Sequence, residues 1–303
     1  MVDLSVNIAG LRLKNPVITA SGTYGYGGEF ADFLDLNRLG ALTIKGVTAR
    51  PRQGNPPPRL AETPAGLLNA VGLQNQGVDY LIKEYLPRLA KLTVPVIVNV
   101  DGDDPEEYAA VIKKLCGQKA VAAIELNISC PNVRKGGMVY GVDPRLAAEL
   151  TALVKPLCDK PLIVKLTPNV TDIAVIARAV EAAGADAVSL INTLLGMAVD
   201  VETQRPRLST ITGGLSGAAV KPVALRMVWQ AARAVKIPVI GMGGISCWQD
   251  AVEFLLAGAS AVAVGTANFQ NPLVTLEIID GLTGYLKRRG LSRVTELVGG
   301  LLV

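Results

Sequence analysis

The fold this chain predicts is of the α/β class: a closed (β/α)8 TIM barrel with inserted loops at its C-terminal mouth. Three observations carry the prediction. Eight short apolar runs recur at fairly even spacing, each followed by a helical pattern. Half of the 303 residues are hydrophobic but only 4% are aromatic, so Val, Ile, Leu and Ala must build the core, which suits buried parallel strands. Polar or glycine residues stand just past all eight runs, whereas an open doubly wound sheet would collect them only near its switch point. A barrel takes about 250 residues before insertions, so residues 1–303 are expected to form a single domain.

The runs cover 17–20, 41–44, 96–98, 122–126, 162–164, 186–191, 238–240 and 261–264. Past their ends stand Ser21, Lys45, Asn99, Asn127 to Cys130, Lys165, Asn192 with Thr193, Gly243 with Gly244, and Gly265 with Thr266. Helix starts are marked by Asp104-Pro105-Glu106-Glu107 and Asp143-Pro144, a capping side chain before an N1 proline, and by Ser246 with Gln249 as a capping box. Gly184 and Gly258 each end a helix before the next strand. Three longer connections, 46–75, 129–143 and 194–217, lie at the expected mouth, where long loops usually bind or cover ligands.

Composition excludes several classes. Formal charge is +4 with scattered basic residues, and Lys287-Arg288-Arg289 reads better as a helix C-terminus than as a nucleic-acid patch. No apolar run reaches the roughly 18 residues of a membrane span, and the start lacks a signal-peptide pattern, so a soluble, cytoplasmic protein is expected. Cys116, Cys130, Cys158 and Cys247 lie far apart without a Cys-x-x-Cys pair, which argues against zinc, an iron–sulfur cluster or a disulfide framework.

Chemistry concentrates at the strand ends. The chain has no histidine, so Cys130, held between Ser129 and Pro131 at the polar tip of the fourth strand, is the leading candidate base. A lone cysteine is more commonly a small buried hydrophobe; its loop position and polar neighbours favour chemistry here. Glycines cluster at 213, 214, 217, 241, 243, 244 and 265, and those in 241–245 and 264–266 suit backbone capture of a phosphate after strands seven and eight, although a glycine after a strand is often only a tight turn. Lys45 and Lys165 close apolar strands and would point into the mouth rather than snorkel at a rim. There they could stabilise charge on a reduced flavin or, in the rival reading, form a Schiff base. Asn69, Asn99, Asn127, Asn132 and Asn192 offer the donor and acceptor pairs that a ring of alternating C=O and N–H groups requires. Asn37, Asn169 and Asn268 read as solvated turn residues.

At these residues the chain resembles the class 1 dihydroorotate dehydrogenases, flavoenzymes of pyrimidine synthesis. The strings are Ala20-Ser-Gly-Thr-Tyr-Gly25, Thr43-Ile-Lys-Gly-Val-Thr48, Asn69-Ala-Val-Gly-Leu-Gln-Asn75, Asn127-Ile-Ser-Cys-Pro-Asn132, Ile191-Asn-Thr193, Gly241-Met-Gly-Gly244 and Val264-Gly-Thr266. The resemblance implies an FMN barrel oxidising dihydroorotate to orotate with Cys130 as base. It implies FMN contacts at Ser21, Lys45, Gly46, Asn99, Asn127, Lys165, Ile191, Gly217, Gly243, Gly244, Gly265 and Thr266, and substrate contacts at Lys45, Asn69, Ala70, Val71, Gly72, Leu73, Asn127, Asn192 and Thr193. No metal site is expected. The opening Ser21-Gly-Thr-Tyr-Gly-Tyr-Gly-Gly-Glu-Phe30 is most similar to class 1B, in which a homodimer of the catalytic chain joins a partner subunit carrying FAD and [2Fe–2S] as a heterotetramer reducing NAD+. A class 1A-like enzyme using fumarate, a dihydropyrimidine dehydrogenase-like module and a Schiff-base aldolase on Lys165 are the alternatives. A non-catalytic barrel would leave the eight polar strand ends unexplained.

Overall fold

A computed structural model of the chain describes residues 2–129 and 137–302. It opens with a hairpin of β1 (Val6–Ile8) and β2 (Leu11–Leu13), turned at Ala9 and Gly10 with positive φ, whose Val6, Ile8 and Leu13 enter the main core. The chain continues through β3 (Val17–Thr19), β4 (Leu42–Val47), β5 (Leu60–Thr63), β6 (Gly66–Asn69), β7 (Val96–Val100), β8 (Ala123–Asn127), β9 (Leu162–Lys165) and β10 (Ala187–Leu190). Then come β11 (Leu194–Met197), β12 (Val199–Asp200), β13 (Arg205–Pro206), β14 (Thr212–Ser216), β15 (Val239–Met242) and β16 (Ala261–Val264).

All eight runs read from the sequence are strands of one parallel sheet, ordered β3-β16-β15-β10-β9-β8-β7-β4. The ring is closed between its two end strands by a parallel bridge from Ile18 to Ala41. Beside that bridge the Thr19 hydroxyl takes over ladder duty, donating to Thr43 O at 3.1 Å and accepting from Thr43 N at 2.9 Å. The strands are apolar almost throughout because both faces are buried, one by the barrel interior and one by helices.

The crossovers carry α1 (Val78–Tyr80) and α2 (Leu86–Leu89), joined by one π-helical turn, then α3 (Pro105–Cys116), α4 (Met138–Gly141) and α5 (Pro144–Val154). They continue with α6 (Ile173–Ala182), α7 (Lys221–Ala234), α8 (Trp248–Leu256), α9 (Ala267–Gln270) and α10 (Val274–Arg289). The first crossover departs from the expected helical pattern. Between β3 and β4 lie two short 3-10 turns, Gly28–Phe30 and Leu36–Arg38, because Gly22, Gly25 and Gly27 take positive φ and interrupt any helix.

Two predicted caps hold, since Asp104 Oδ1 accepts from Glu107 N at 2.8 Å and Asp143 Oδ1 accepts from Arg145 N at 2.8 Å. The third shifts by one residue. At α8 the box is Cys247 with Asp250, rather than Ser246 with Gln249, and the Asp250 carboxylate accepts from Ser246 N at 2.8 Å. Lys287, Arg288 and Arg289 occupy the last turn of α10 before a left-handed Gly290, as the helix-end reading expected. Cys116 and Cys158, 42 residues apart, pair as a disulfide with Cα atoms 5.4 Å apart, which the wide spacing did not suggest. Among the described residues no helix is long and apolar enough to cross a membrane.

Two of the three long connections are not irregular loops. Strands β5 and β6 from the first join β11 and β14 from the third in an antiparallel sheet ordered β11-β14-β6-β5, with β12 and β13 pairing beyond it. Leu68, Ala70 and Leu208 form a small second core beneath this sheet.

Candidate active site

The C-terminal ends of all eight barrel strands, roofed by the β5-β6-β14 sheet, surround one cavity of about 640 Å3. That is within the roughly 300–1,000 Å3 usual for cofactor and small-molecule sites. Every residue the sequence assigned to FMN, from Ser21 after β3 to Thr266 after β16, lines it. So do Asn69, Val71, Gly72, Leu73, Asn192 and Thr193 from the substrate set. Ala70 does not: it is fully buried against Leu68 and Leu208, because alternation along the segment turns it away from the cavity. Cys130, with Pro131 and Asn132, lies outside the described residues.

One wall is a buried polar chain. Lys165 is 4% exposed, donates to Ser21 Oγ at 3.1 Å and stands 3.7 Å from the Glu125 carboxylate. Glu125 in turn accepts from Asn99 Nδ2 at 2.6 Å and from Ser189 Oγ at 2.8 Å, so both of its oxygens are held. Asn127 Oδ1 accepts from Ser129 Oγ at 2.6 Å, and that hydroxyl accepts from Asn192 Nδ2 at 2.8 Å. Tyr108 Oη on α3 fixes the strand end by donating to Asn127 O at 2.8 Å.

The opposite wall is backbone. Gly243 and Gly244 follow β15 with φ of 125° and 77°. A Cβ on Gly244 would lie 2.7 Å from Lys221 Cβ and 3.0 Å from Gly217 O, so only glycine lets this turn pack against the start of α7. Thr266 Oγ1 donates to Ser216 Oγ at 2.8 Å, tying the end of β16 to the roof.

Two buried groups facing this space lack a hydrogen-bond partner among the described residues: Thr193 Oγ1 and both oxygens of Asp101. Asp101 is 1% exposed, and burial pushes its carboxyl up to about 7 against the pull of Lys45, Lys165 and Arg52. Buried polar atoms without partners are what a cavity built for a polar ligand presents before the ligand is considered.

Residues 3–286 match the family described as dihydroorotate dehydrogenase. The chain belongs to that family. A protein of Bacteroides thetaiotaomicron named dihydroorotate dehydrogenase B (NAD(+)), catalytic subunit, is 59% identical over 301 residues, 99% of each chain. Proteins of the same name from Desulforamulus reducens and Geotalea uraniireducens are 59% and 57% identical over 298 and 300 residues, covering 98–99% of each chain.

Within this family member the structure adds residues that the sequence reading passed over. Glu125 and Asp101 were both visible as charges embedded in or abutting apolar strands, a position that buried carboxylates seldom take without purpose. Two asparagines are corrected. Asn268 is 1% exposed and donates to Val264 O at 3.0 Å, so it is an internal brace and not a solvated turn. Asn169 donates to Thr193 O at 3.1 Å and accepts from Leu195 N at 2.9 Å, holding the segment that carries Asn192 and Thr193.

Proposed function

We propose that this chain is the FMN-binding catalytic subunit of an NAD+-linked dihydroorotate dehydrogenase, oxidising dihydroorotate to orotate in pyrimidine biosynthesis. The observation that carries the reading is convergence: polar or glycine residues from all eight strand ends surround a single cavity of cofactor size. The fit to FMN rests on this chain's own features. The glycine turn at Gly243 and Gly244, where side chains would collide with Ala224 and Lys221, leaves backbone exposed for a phosphate together with Gly217, Gly265 and Thr266. Lys165, Ser21, Asn99 and Lys45 supply the polar wall a flavin ring requires.

FMN, when bound, supplies the acceptor for the hydride that leaves C6 of the substrate. The remaining work belongs to side chains. Lys45 would hold the substrate carboxylate, while Asn69, Asn127, Asn192 and Thr193 would orient the ring amides, with backbone from Val71 to Leu73 closing one side. The chain Asn127–Ser129–Asn192 keeps these amides from rotating before a ligand arrives. Cys130 would take the proton from C5. An unperturbed thiol ionises near 8.5, so the rate should climb with pH until the thiol has titrated.

Electrons would leave through a partner subunit carrying FAD and [2Fe–2S], two such subunits joining a homodimer of this chain. This reading is supported by the name shared by the relatives, which specifies a catalytic subunit and NAD(+). Cys130→Ala tests the chemistry: the variant should still purify yellow, with flavin reduction by dihydroorotate slowed on the order of 100-fold or more. Undiminished reduction would remove Cys130 from its role. Turnover with fumarate by the chain alone, and none with NAD+ and a co-expressed partner, would overturn the electron route.

A further inference from the structure

Asp101 has no task in the chemistry above, yet it is among the most constrained carboxyls in the chain. It follows β7, lines the cavity, is 1% exposed, and neither oxygen has a hydrogen-bond partner among the described residues. It is pressed against Gly46, where a Cβ would collide with the carboxylate and lie 2.7 Å from Asn99 Oδ1. The charged groups that act on it come from every neighbouring element: Lys45 on β4, Lys165 on β9, Glu125 on β8 and Arg52 from the loop after β4. Arg52 is already matched by Asp103 at 3.0 Å and Glu107 at 3.1 Å. The cavity floor therefore carries the ammonium groups of Lys45 and Lys165, the latter 3.7 Å from Glu125, and its balance turns on whether Asp101 carries a proton.

We propose that Asp101 is a positioning residue coupling a proton to the charge of the bound ligand: an anion entering this cavity draws one proton from solvent onto the Asp101 carboxyl. With Asp101 ionised, the two carboxylates Glu125 and Asp101 offset the charges of Lys45 and Lys165, and the floor is close to neutral. With Asp101 protonated, the floor keeps a net positive charge, and the acid O–H becomes a donor. An anionic ligand favours the second state, and by linkage its affinity falls as pH rises through the range where Asp101 loses its proton. Burial places that range near neutrality, the carboxyl being raised to about 7. The inference rests on the reading of the cavity as an orotate site, orotate being a carboxylate at these pH values.

The test uses the FMN-loaded chain and orotate as the probe, in a Cys130→Ala background so that this thiol cannot contribute to the proton count. Isothermal calorimetry in buffers of different ionisation heat at pH 8 counts protons taken up on binding. The background protein should take up close to one proton per orotate, and its Kd should weaken by up to about tenfold per pH unit above 7. Adding Asp101→Asn should abolish the uptake, flatten the pH profile, and tighten binding at pH 8.5 relative to the background. A purely structural role for Asp101 would move affinity at all pH values alike and leave the proton count unchanged, which overturns the proposal. So does an absence of uptake in the background protein, a result that needs no Asp101 variant to fold. Failure of orotate to bind at any pH would instead sink the substrate reading, and the linkage with it, whereas binding with a flat profile sinks the linkage alone.

Discussion

At the scale of single residues, the site is built from groups whose burial makes them expensive to disturb. Lys165 and Glu125 face each other at 5% side-chain exposure, and removing the ammonium would leave a carboxylate in a dry wall with only Asn99 and Ser189 to solvate it. Lys165→Met should cost about 3 kcal/mol of stability in denaturant titrations, more than an exposed pair would, because the residual charge is the main penalty. Asp101 works in the opposite sense. Its folded-state value lies above that of an unfolded aspartate, so burial is uncompensated only when the group ionises; that penalty is absent below about pH 4 and complete above about 7. Asp101→Asn should therefore stabilise the ligand-free chain at pH 8 by at most about 4 kcal/mol, seen as a higher melting temperature, with the gain shrinking towards pH 4. A melting temperature unchanged between the two proteins at pH 8 would contradict this. Gly244 sets a steric limit: Gly244→Ala forces φ near 77° on alanine and a contact at 2.7 Å with Lys221 Cβ, and should lose FMN on dialysis far faster than the parent.

At the scale of elements, two devices hold the glycine turn and the roof. Lys221, at the start of α7, reaches Asp250 at 2.7 Å and Glu253 at 3.1 Å on α8, so the two helices that flank the turn after β15 are clamped together. Burial opposes ionisation of Asp250, but donors from Lys221, Ser246 and Cys247 outweigh it and hold the carboxyl below its ordinary value. The stability it contributes is present at neutral pH and lost only as pH falls through that depressed value. The roof depends on far less apolar area, since among the described residues its separate hydrophobic cluster has only Leu68, Ala70 and Leu208 as buried members. Leu68→Ala should cost about 2–3 kcal/mol locally, speeding hydrogen exchange across 60–69 and 212–216 while the barrel melts as before. Equal acceleration in the barrel strands would show that roof and barrel unfold as one unit.

At the scale of the whole molecule, the barrel was legible and its roof was not. Strands such as 122–126 and 261–264 announce themselves because parallel strands buried on both faces read as unbroken apolar runs, and closure followed from a polar residue at each end. Strands β5, β6, β11 and β14 give no such signal: they are four or five residues long, three of them contain Gly66, Gly196, Gly213 or Gly214, and the pairing of β6 with β14 that joins them spans about 145 residues. The site was readable wherever a residue stood at a strand end, from Ser21 to Thr266, and unreadable where tertiary pairing decides, as in Asn268 folding inward or Ala70 turning from the cavity. The disulfide between Cys116 and Cys158 belongs to this second kind, since only packing of α3 beside the end of α5 brings the sulfurs together. The join between β3 and β4 carries one further implication. A threonine hydroxyl there stands in for main-chain rungs, and Ser21 and Lys45 sit on its two banks. Of the eight joins in the cylinder, this one is carried by a single bridge and a side-chain hydroxyl, so Thr19→Val removes the two hydrogen bonds nearest Ser21 and Lys45 without touching a main-chain group.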